Sequence, residues 1–198
     1  VHIAADNEYY GYLVIADTIK SDAVKAVEEL KKLGIFKTVM LTGDVKRVGE
    51  EAGKRLGINE VYTELLPDQK VAELEKLLGN KNKGKNLMFV GDGVNDAPVL
   101  ARADIGVAMG ALGSQAAVEA ADVVLTDDKP IKIAEAITLS RKSMKIVRQN
   151  IAFALTVKAV ILVLGAAGYA DMWLAVFADV GVMVLAIINS MRTLGIKR

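Results

Sequence analysis

The chain changes character at Ile151. From there, Ile151–Ala167 is apolar apart from Thr156 and Lys158, and Met172–Ile188 is apolar apart from Asp179. Each run, with its flanks, approaches the roughly 20 residues that a helix needs to cross a bilayer. Two buried core helices back to back would require a much larger surrounding core, so the reading is a membrane hairpin. Tyr169 and Trp173 lie near its turn, as interfacial aromatics tend to. A positive mean hydropathy (+0.33) beside 25% charged residues agrees with two unlike segments joined end to end.

Orientation follows from the basic residues. Lys129, Lys132, Arg141, Lys142, Lys145 and Arg148 precede the first run, and Arg192, Lys197 and Arg198 follow the second. The turn between the runs, Gly168–Asp171, carries none. The positive-inside rule places both ends in the cytoplasm and the turn outside. Lys158 and Asp179 then sit near mid-bilayer, at ~1.5 Å of rise per residue. A charge there costs about 2.5–3.5 kcal/mol on insertion scales. Opposite charges on neighbouring helices offset one another, either as a helix lock or as a carboxylate ligand for a transported cation with a built-in counter-charge.

Upstream of about Ser140, strand and helix alternate. Apolar residues at Ala23, Val24, Val27, Leu30 and Leu33 have helical spacing, stopped by Gly34. A strand at Val39–Leu41 is followed by a helix over Arg47–Leu56, stopped by Gly57. The pattern continues through strand Val61–Tyr62, helix Gln69–Leu78, strand Leu87–Val90 and a short helix at Ala97–Ala101. It closes with strand Ile105–Ala108, helix Ser114–Ala120, strand Val123–Leu125 and helix Ile131–Ser140. A further strand-like run, Tyr10–Ala16, precedes all of these. Such alternation predicts a Rossmann-like α/β fold, a parallel sheet with helices on both faces, and ligands at the strand carboxyl ends. A net charge of +1 gives no reason to expect a nucleic-acid partner. With no cysteine, the chain has neither disulfides nor thiolate metal ligands of its own.

One strand end carries distinctive chemistry. Residues 91–98 read Gly-Asp-Gly-Val-Asn-Asp-Ala-Pro, directly after Leu87-Met88-Phe89-Val90. Two carboxylates and an amide carbonyl form a hard-oxygen set suited to Mg²⁺, which takes one or two carboxylates plus substrate phosphate. The glycines allow close backbone approach to a ligand. A second strand end carries Thr42-Gly43-Asp44, whose hydroxyl and backbone N–H can hold phosphate oxygens. In Pro67-Asp68-Gln69-Lys70, a lysine near a helix start runs against the dipole preference and is placed to meet an anion.

These three motifs, in this order and spacing, resemble the phosphorylation domain of P-type ATPases, a branch of the haloacid dehalogenase superfamily. The resemblance implies that Asp92 and Asp96 organise Mg²⁺ and that Asn95 is oriented towards phosphate. It also implies that Thr42 and Gly43 (with Asp44 in the same motif) bind the phosphoryl group and that Lys70 offsets its charge. Lys158 in one span and Asp179-Val180-Gly181 in the next resemble the zinc/cadmium/lead subgroup of heavy-metal pumps. On that reading Asp179, Lys158 and Gly181 belong to the transported-ion site. The copper-type and cobalt-type patterns of these spans are absent.

The family's nucleophile, the Asp of Asp-Lys-Thr-Gly-Thr, does not occur in this chain. Asp17-Thr18-Ile19-Lys20 is the nearest run and lacks the glycine turn. It resembles the hinge returning from a nucleotide-binding domain. The resemblance therefore implies the C-terminal part of a longer, multi-pass plasma-membrane pump, with an incomplete haloacid dehalogenase-like domain that is inactive alone. The expected divisions are residues 1–13, the end of the nucleotide-binding domain; 14–140, the phosphorylation domain; and 141–149, a basic linker. Transmembrane helices at 150–169 and 171–190 and a cytoplasmic tail at 191–198 complete the chain. Its partners would be the pump's own nucleotide-binding, actuator and other transmembrane segments, together with the lipid bilayer. ATP, bound mainly outside this segment, would drive export of Zn²⁺, Cd²⁺ or Pb²⁺. Two other readings are a membrane-anchored phosphatase using Asp17 and a non-catalytic piece that regulates an intact pump.

Overall fold

The computed structural model describes residues 2–6, 8–13, 18–92, 96–110, 115–169 and 171–193. Asp17, Asn95, Lys197 and Arg198, all singled out above, lie outside the described residues. The chain divides into two units, Val1–Lys132 and Ile133–Arg198.

The first unit opens with an antiparallel hairpin, β1 (His2–Ala5) and β2 (Glu8–Tyr12). Of the strand expected at Tyr10–Ala16, Tyr10–Tyr12 belong to β2, whereas residues 14–16 lie outside the described residues. Helix α1 (Ala23–Lys32) follows and buries Ala26 and Val27, the inner edge of its apolar face. Strand β3 (Val39–Leu41) runs parallel to β4 (Glu60–Tyr62), joined through α2 (Lys46–Leu56). Helix α2 stops where the sequence indicates, because Gly57 adopts φ +69°, a left-handed conformation that costs glycine little. Helix α3 (Pro67–Gly79) starts on a proline whose fixed φ suits the first turn, while Gln69 Oε1 accepts the Leu66 N–H at 2.9 Å.

A second parallel ladder holds β5 (Met88–Gly91), β6 (Ile105–Met109) and β7 (Val123–Leu125), in that order. The crossovers carry α4 (Ala97–Leu100) and α5 (Gln115–Ala120). Leu100, Ala108 and Ala117 form the core beneath them, with Phe89, Ala120 and Ala121 packed against it. Among the described residues, β3–β4 and β5–β6–β7 are separate ladders, not one continuous sheet. In both, parallel pairing carries the strand carboxyl ends to one edge: Leu41 faces Tyr62, Gly91 faces Ala108, and Met109 faces Leu125.

The opposite strand ends are tied by carboxylates. Asp104 accepts from the Leu87 N–H at 2.7 Å and pairs with Lys81, so one side chain joins the entries to β5 and β6. Asp122 Oδ2 accepts from Gly106 N–H at 2.8 Å, and Asp122 N–H donates to Gly106 O at 2.9 Å, which ties β7 to β6. The Lys81 ammonium, and then the Leu87 N–H, hold the Asp104 carboxyl below the ordinary aspartate range.

In the second unit, the expected helix at Ile131–Ser140, the basic stretch 141–149 and the first apolar run form one helix, α6 (Ile131–Ala166). The physical reason is plain: no Gly or Pro occurs before Gly165, so nothing interrupts the ladder. Thr156, a polar residue in the apolar run, donates its hydroxyl to Ala152 O at 2.8 Å. Helix α7 (Met172–Ser190) is capped by Asp171, which accepts the Leu174 N–H at 2.8 Å, and it ends in a 3₁₀ turn at Met191–Thr193. Both helices are long and apolar enough to cross a membrane.

Two predictions follow from the strand packing. A Cβ on Gly106 would lie 2.5 Å from Leu100 O, a backbone atom with no rotamer to yield. Gly106→Ala should therefore cost about 1–3 kcal/mol, read as a lower unfolding midpoint; an unchanged midpoint would refute this contact. For Asp104, a lowered pKa means stability that is present above the ordinary aspartate range and lost as pH falls through the folded value. Unfolding midpoints of wild type and Asp104→Asn should differ near neutrality and converge on acidification. Curves that stay parallel would contradict the carboxylate tie.

Candidate functional site

The loop after β3 is built by its own side chains and by the loop after β4. Thr42 Oγ1 donates to Asp44 Oδ2 at 2.8 Å and accepts from Asp44 N–H at 3.1 Å. Leu65 N–H donates to Thr42 O at 3.1 Å, and Glu64 N–H donates to Asp44 O at 2.9 Å. Glu64 is held at φ +58°, a left-handed conformation uncommon for a residue with a side chain. Thr42 is half-buried, whereas Gly43 and Asp44 are exposed. The result is a fixed hydroxyl beside an exposed stretch of backbone.

The loop after β5 presents Asp92, exposed, and Asp96, which immediately precedes α4. Asp96 folds back over the strand end: a Cβ on Gly91 would stand 2.9 Å from Asp96 Oδ2. Glycine at 91 is thus a condition for the carboxylate's position. Asp96 Oδ1 receives the Lys70 ammonium at 3.0 Å, with side chains only 13% and 18% exposed. Lys70 stands in the first turns of α3, which packs against α4. That contact brings together two residues 26 apart in sequence.

Lys70 and Asp96 are therefore joined, as are Thr42 and Asp44. Among the described residues no hydrogen bond or ion pair links one couple to the other. The donor set fits Mg²⁺, since Asp92 and Asp96 provide the one or two carboxylates that ion takes while substrate and water fill its remaining positions. Among the described residues no group of three or more His, Cys, Asp or Glu forms a complete protein cage.

In the second unit, Lys158 Nζ lies 3.1 Å from Asp179 Oδ1, so the two charges in the apolar runs meet across α6 and α7. A Cβ on Gly181 would meet nothing within 4 Å. Sequence reasoning passed over a second polar contact between these helices. Asn150 Nδ2 donates to Ala186 O at 3.1 Å and to Ser190 Oγ at 2.9 Å, and its Oδ1 accepts from Asn189 Nδ2 at 2.7 Å. An amide at the edge of each apolar run was the available signal.

The first unit is thus an α/β domain with a hydroxyl, an ammonium and two carboxylates after the ends of parallel strands. Comparison with known proteins narrows this. The family model for haloacid dehalogenase-like hydrolases matches residues 1–104. A cadmium, zinc and cobalt-transporting ATPase of Bacillus subtilis is 60% identical over 197 residues, covering 100% of this chain and 28% of that protein. A zinc-transporting ATPase of Synechocystis is 56% identical, covering 97% of this chain and 26% of that protein. The crystal structure of a zinc-transporting PIB-type ATPase in the E2.Pi state superposes with a TM-score of 0.83 at 39% identity, over 96% of this chain and 30% of that one. The chain belongs to the haloacid dehalogenase-like hydrolases, and nearly all of it is similar to a part of heavy-metal-transporting P-type ATPases. It spans about a quarter of the length of the curated relatives it matches.

The Lys70–Asp96 pair generates a prediction. Its burial lies between that of surface pairs, worth about 0.2–1 kcal/mol, and that of buried pairs whose breakage costs about 3–5 kcal/mol. A double-mutant cycle with Lys70→Met and Asp96→Asn should give a coupling of about 1–3 kcal/mol in unfolding free energy. Additive effects would mean the contact is not maintained.

Proposed function

We propose that this chain is the C-terminal catalytic and membrane portion of an ATP-driven pump that exports a soft divalent cation of the Zn²⁺/Cd²⁺/Pb²⁺ type. The observation that carries the reading is the Lys158–Asp179 pair at 3.1 Å, within apolar helices of a chain whose other half bears a phosphate-handling loop set. The names of the relatives support the choice of cargo.

In this reading Thr42 Oγ1 and the Gly43 N–H hold the transferred phosphoryl group, and the Lys70 ammonium balances its charge. Asn95 orients towards the same group. Asp92 and Asp96 would hold Mg²⁺, which when bound neutralises charge on the phosphoryl oxygens. These groups act by position and by preorganised charge, the main resources in phosphoryl transfer. The nucleophilic Asp comes from another part of the polypeptide. In the membrane, the Asp179 carboxylate is an oxygen ligand for the cation. Lys158 occupies that carboxylate once the cation leaves, so the site is never left as an unpaired charge in hydrocarbon, which would cost about 2.5–3.5 kcal/mol. Both ends of the chain face the cytoplasm of a multi-pass plasma-membrane protein, and residues 14–140 act with the nucleotide-binding and actuator domains.

The test is zinc-stimulated ATP hydrolysis and vesicular zinc uptake by the full-length polypeptide. Asp92→Asn should lower turnover at saturating zinc by about 10²-fold or more, in line with losses seen when charge stabilisation is removed. Asp179→Ala should abolish zinc stimulation and uptake together. Uptake that survives Asp179→Ala would overturn the assignment.

A further inference from the structure

The least exposed positions along the apolar part of α6 are Asn150, Ala154, Val157 and Ile161, and those along α7 include Ala178, Val182, Ala186 and Asn189. Steps of three and four residues mark one stripe on each helix, the spacing of a helix–helix seam. In hydrocarbon such a seam has no hydrophobic drive, and small apolar residues do not by themselves decide where one helix stops sliding along the other. A polar side chain in the seam does decide it, because its hydrogen bonds exist in one register only. Asparagine at a coiled-coil seam position is the best-attested example.

Asn150 meets this requirement. Its amide nitrogen donates to Ala186 O (3.1 Å) and Ser190 Oγ (2.9 Å), while its carbonyl accepts from Asn189 Nδ2 (2.7 Å). Asn189 is in turn held by Arg192 Nη1 at 3.0 Å on its own carbonyl oxygen. All three partners of Asn150 lie within about one turn of α7. The helices are antiparallel, so moving up α6 from Asn150 to Lys158, ~12 Å, corresponds to moving back along α7 from the 186–190 turn to Asp179, ~10–16 Å. The register that satisfies Asn150 is therefore the one that delivers Lys158 Nζ to Asp179 at 3.1 Å. A slip of one turn, ~5.4 Å, separates the charges and leaves the amide beside Val182 and Ala186, which offer no polar side chain.

We propose that Asn150, with Asn189 and Ser190 as its receptors, is the positioning residue that sets the register of α6 on α7 and so places Lys158 on the cargo carboxylate. The proposal deepens the pump reading above and rests on it for the role of Asp179. Asn150 touches neither cargo nor phosphate; it acts through the position of Lys158.

The test uses the full-length polypeptide in vesicles. A pair introduced as Ala154→Cys and Val182→Cys, read against the parent protein lacking both, reports the native register by oxidative cross-linking, and Ala154→Cys with Ala178→Cys reports a one-turn slip; residues 1–198 contribute no other cysteine. Asn150→Leu should lower the first yield and raise the second. It should also raise the zinc concentration for half-maximal ATPase about three- to tenfold, with kcat changed less than twofold, the scale of one or two intramembrane hydrogen bonds. Asn150→Gln, which keeps both amide roles, should recover most of the zinc sensitivity. An Asn150→Leu protein with unaltered cross-linking and zinc dependence overturns the proposal, even if less of it accumulates. Asp179→Ala, measured alongside, separates the two claims. If that variant retains zinc stimulation the cargo reading fails, whereas the cross-link pattern still judges the clamp.

Discussion

Parallel pairing carries the carboxyl ends of β5, β6 and β7 to one edge of their ladder, and those of β3 and β4 to one edge of theirs; the chemistry of the first unit depends on that geometry. The side chains proposed to meet phosphate and magnesium all follow strand ends or open the helix after one. The far ends carry ties, among them Asp104 to Lys81 and Leu87, Asp122 to Gly106 and Thr38 to Asn59. Binding and scaffolding are thus separated along the strand axis, as in other open α/β sheets. Glycine makes both sides workable. At 106 it lets α4 lie on β6, and at 91 it leaves room for the Asp96 carboxylate.

The second unit answers a different constraint. An apolar helix carrying one charge is costly to insert, whereas two such helices carrying opposite charges can share the cost. Lys158 and Asp179 do so at 3.1 Å. The contact runs through Asp179 Oδ1, and an ionised carboxylate has two oxygens with about four acceptor positions. A pair built for stability alone is often matched by well-packed apolar residues. On the proposed pump reading, the pair serves a carboxylate that must alternately be free and be neutralised.

Much of this was legible in the residues. Glycine stops, apolar spacing and strand-like runs located α1 to α5 and β3 to β7 to within a few residues, because each depends on local sequence. The motif loops were legible for the same reason, with their ligands contiguous. What escaped were side-chain partners set by tertiary packing. Nothing local links Lys70 to Asp96 or Asn150 to Asn189, and only the packing of α3 on α4, or of α6 alongside α7, brings them together. Helix α6 runs on through the change in composition at 141, since composition does not end a helix; a glycine, a proline or a cap does.

The central claim is that the carboxylate in the membrane and the phosphate loops belong to one reaction cycle. Formation of the aspartyl-phosphate from radiolabelled ATP, in the full-length polypeptide with and without Zn²⁺, tests it most directly. The account predicts that Zn²⁺ raises the acid-stable phosphoenzyme in wild type. In Asp179→Ala that response should vanish, although its phosphate loops are unaltered. A phosphoenzyme that forms to the same level and with the same zinc dependence in both proteins would contradict the account.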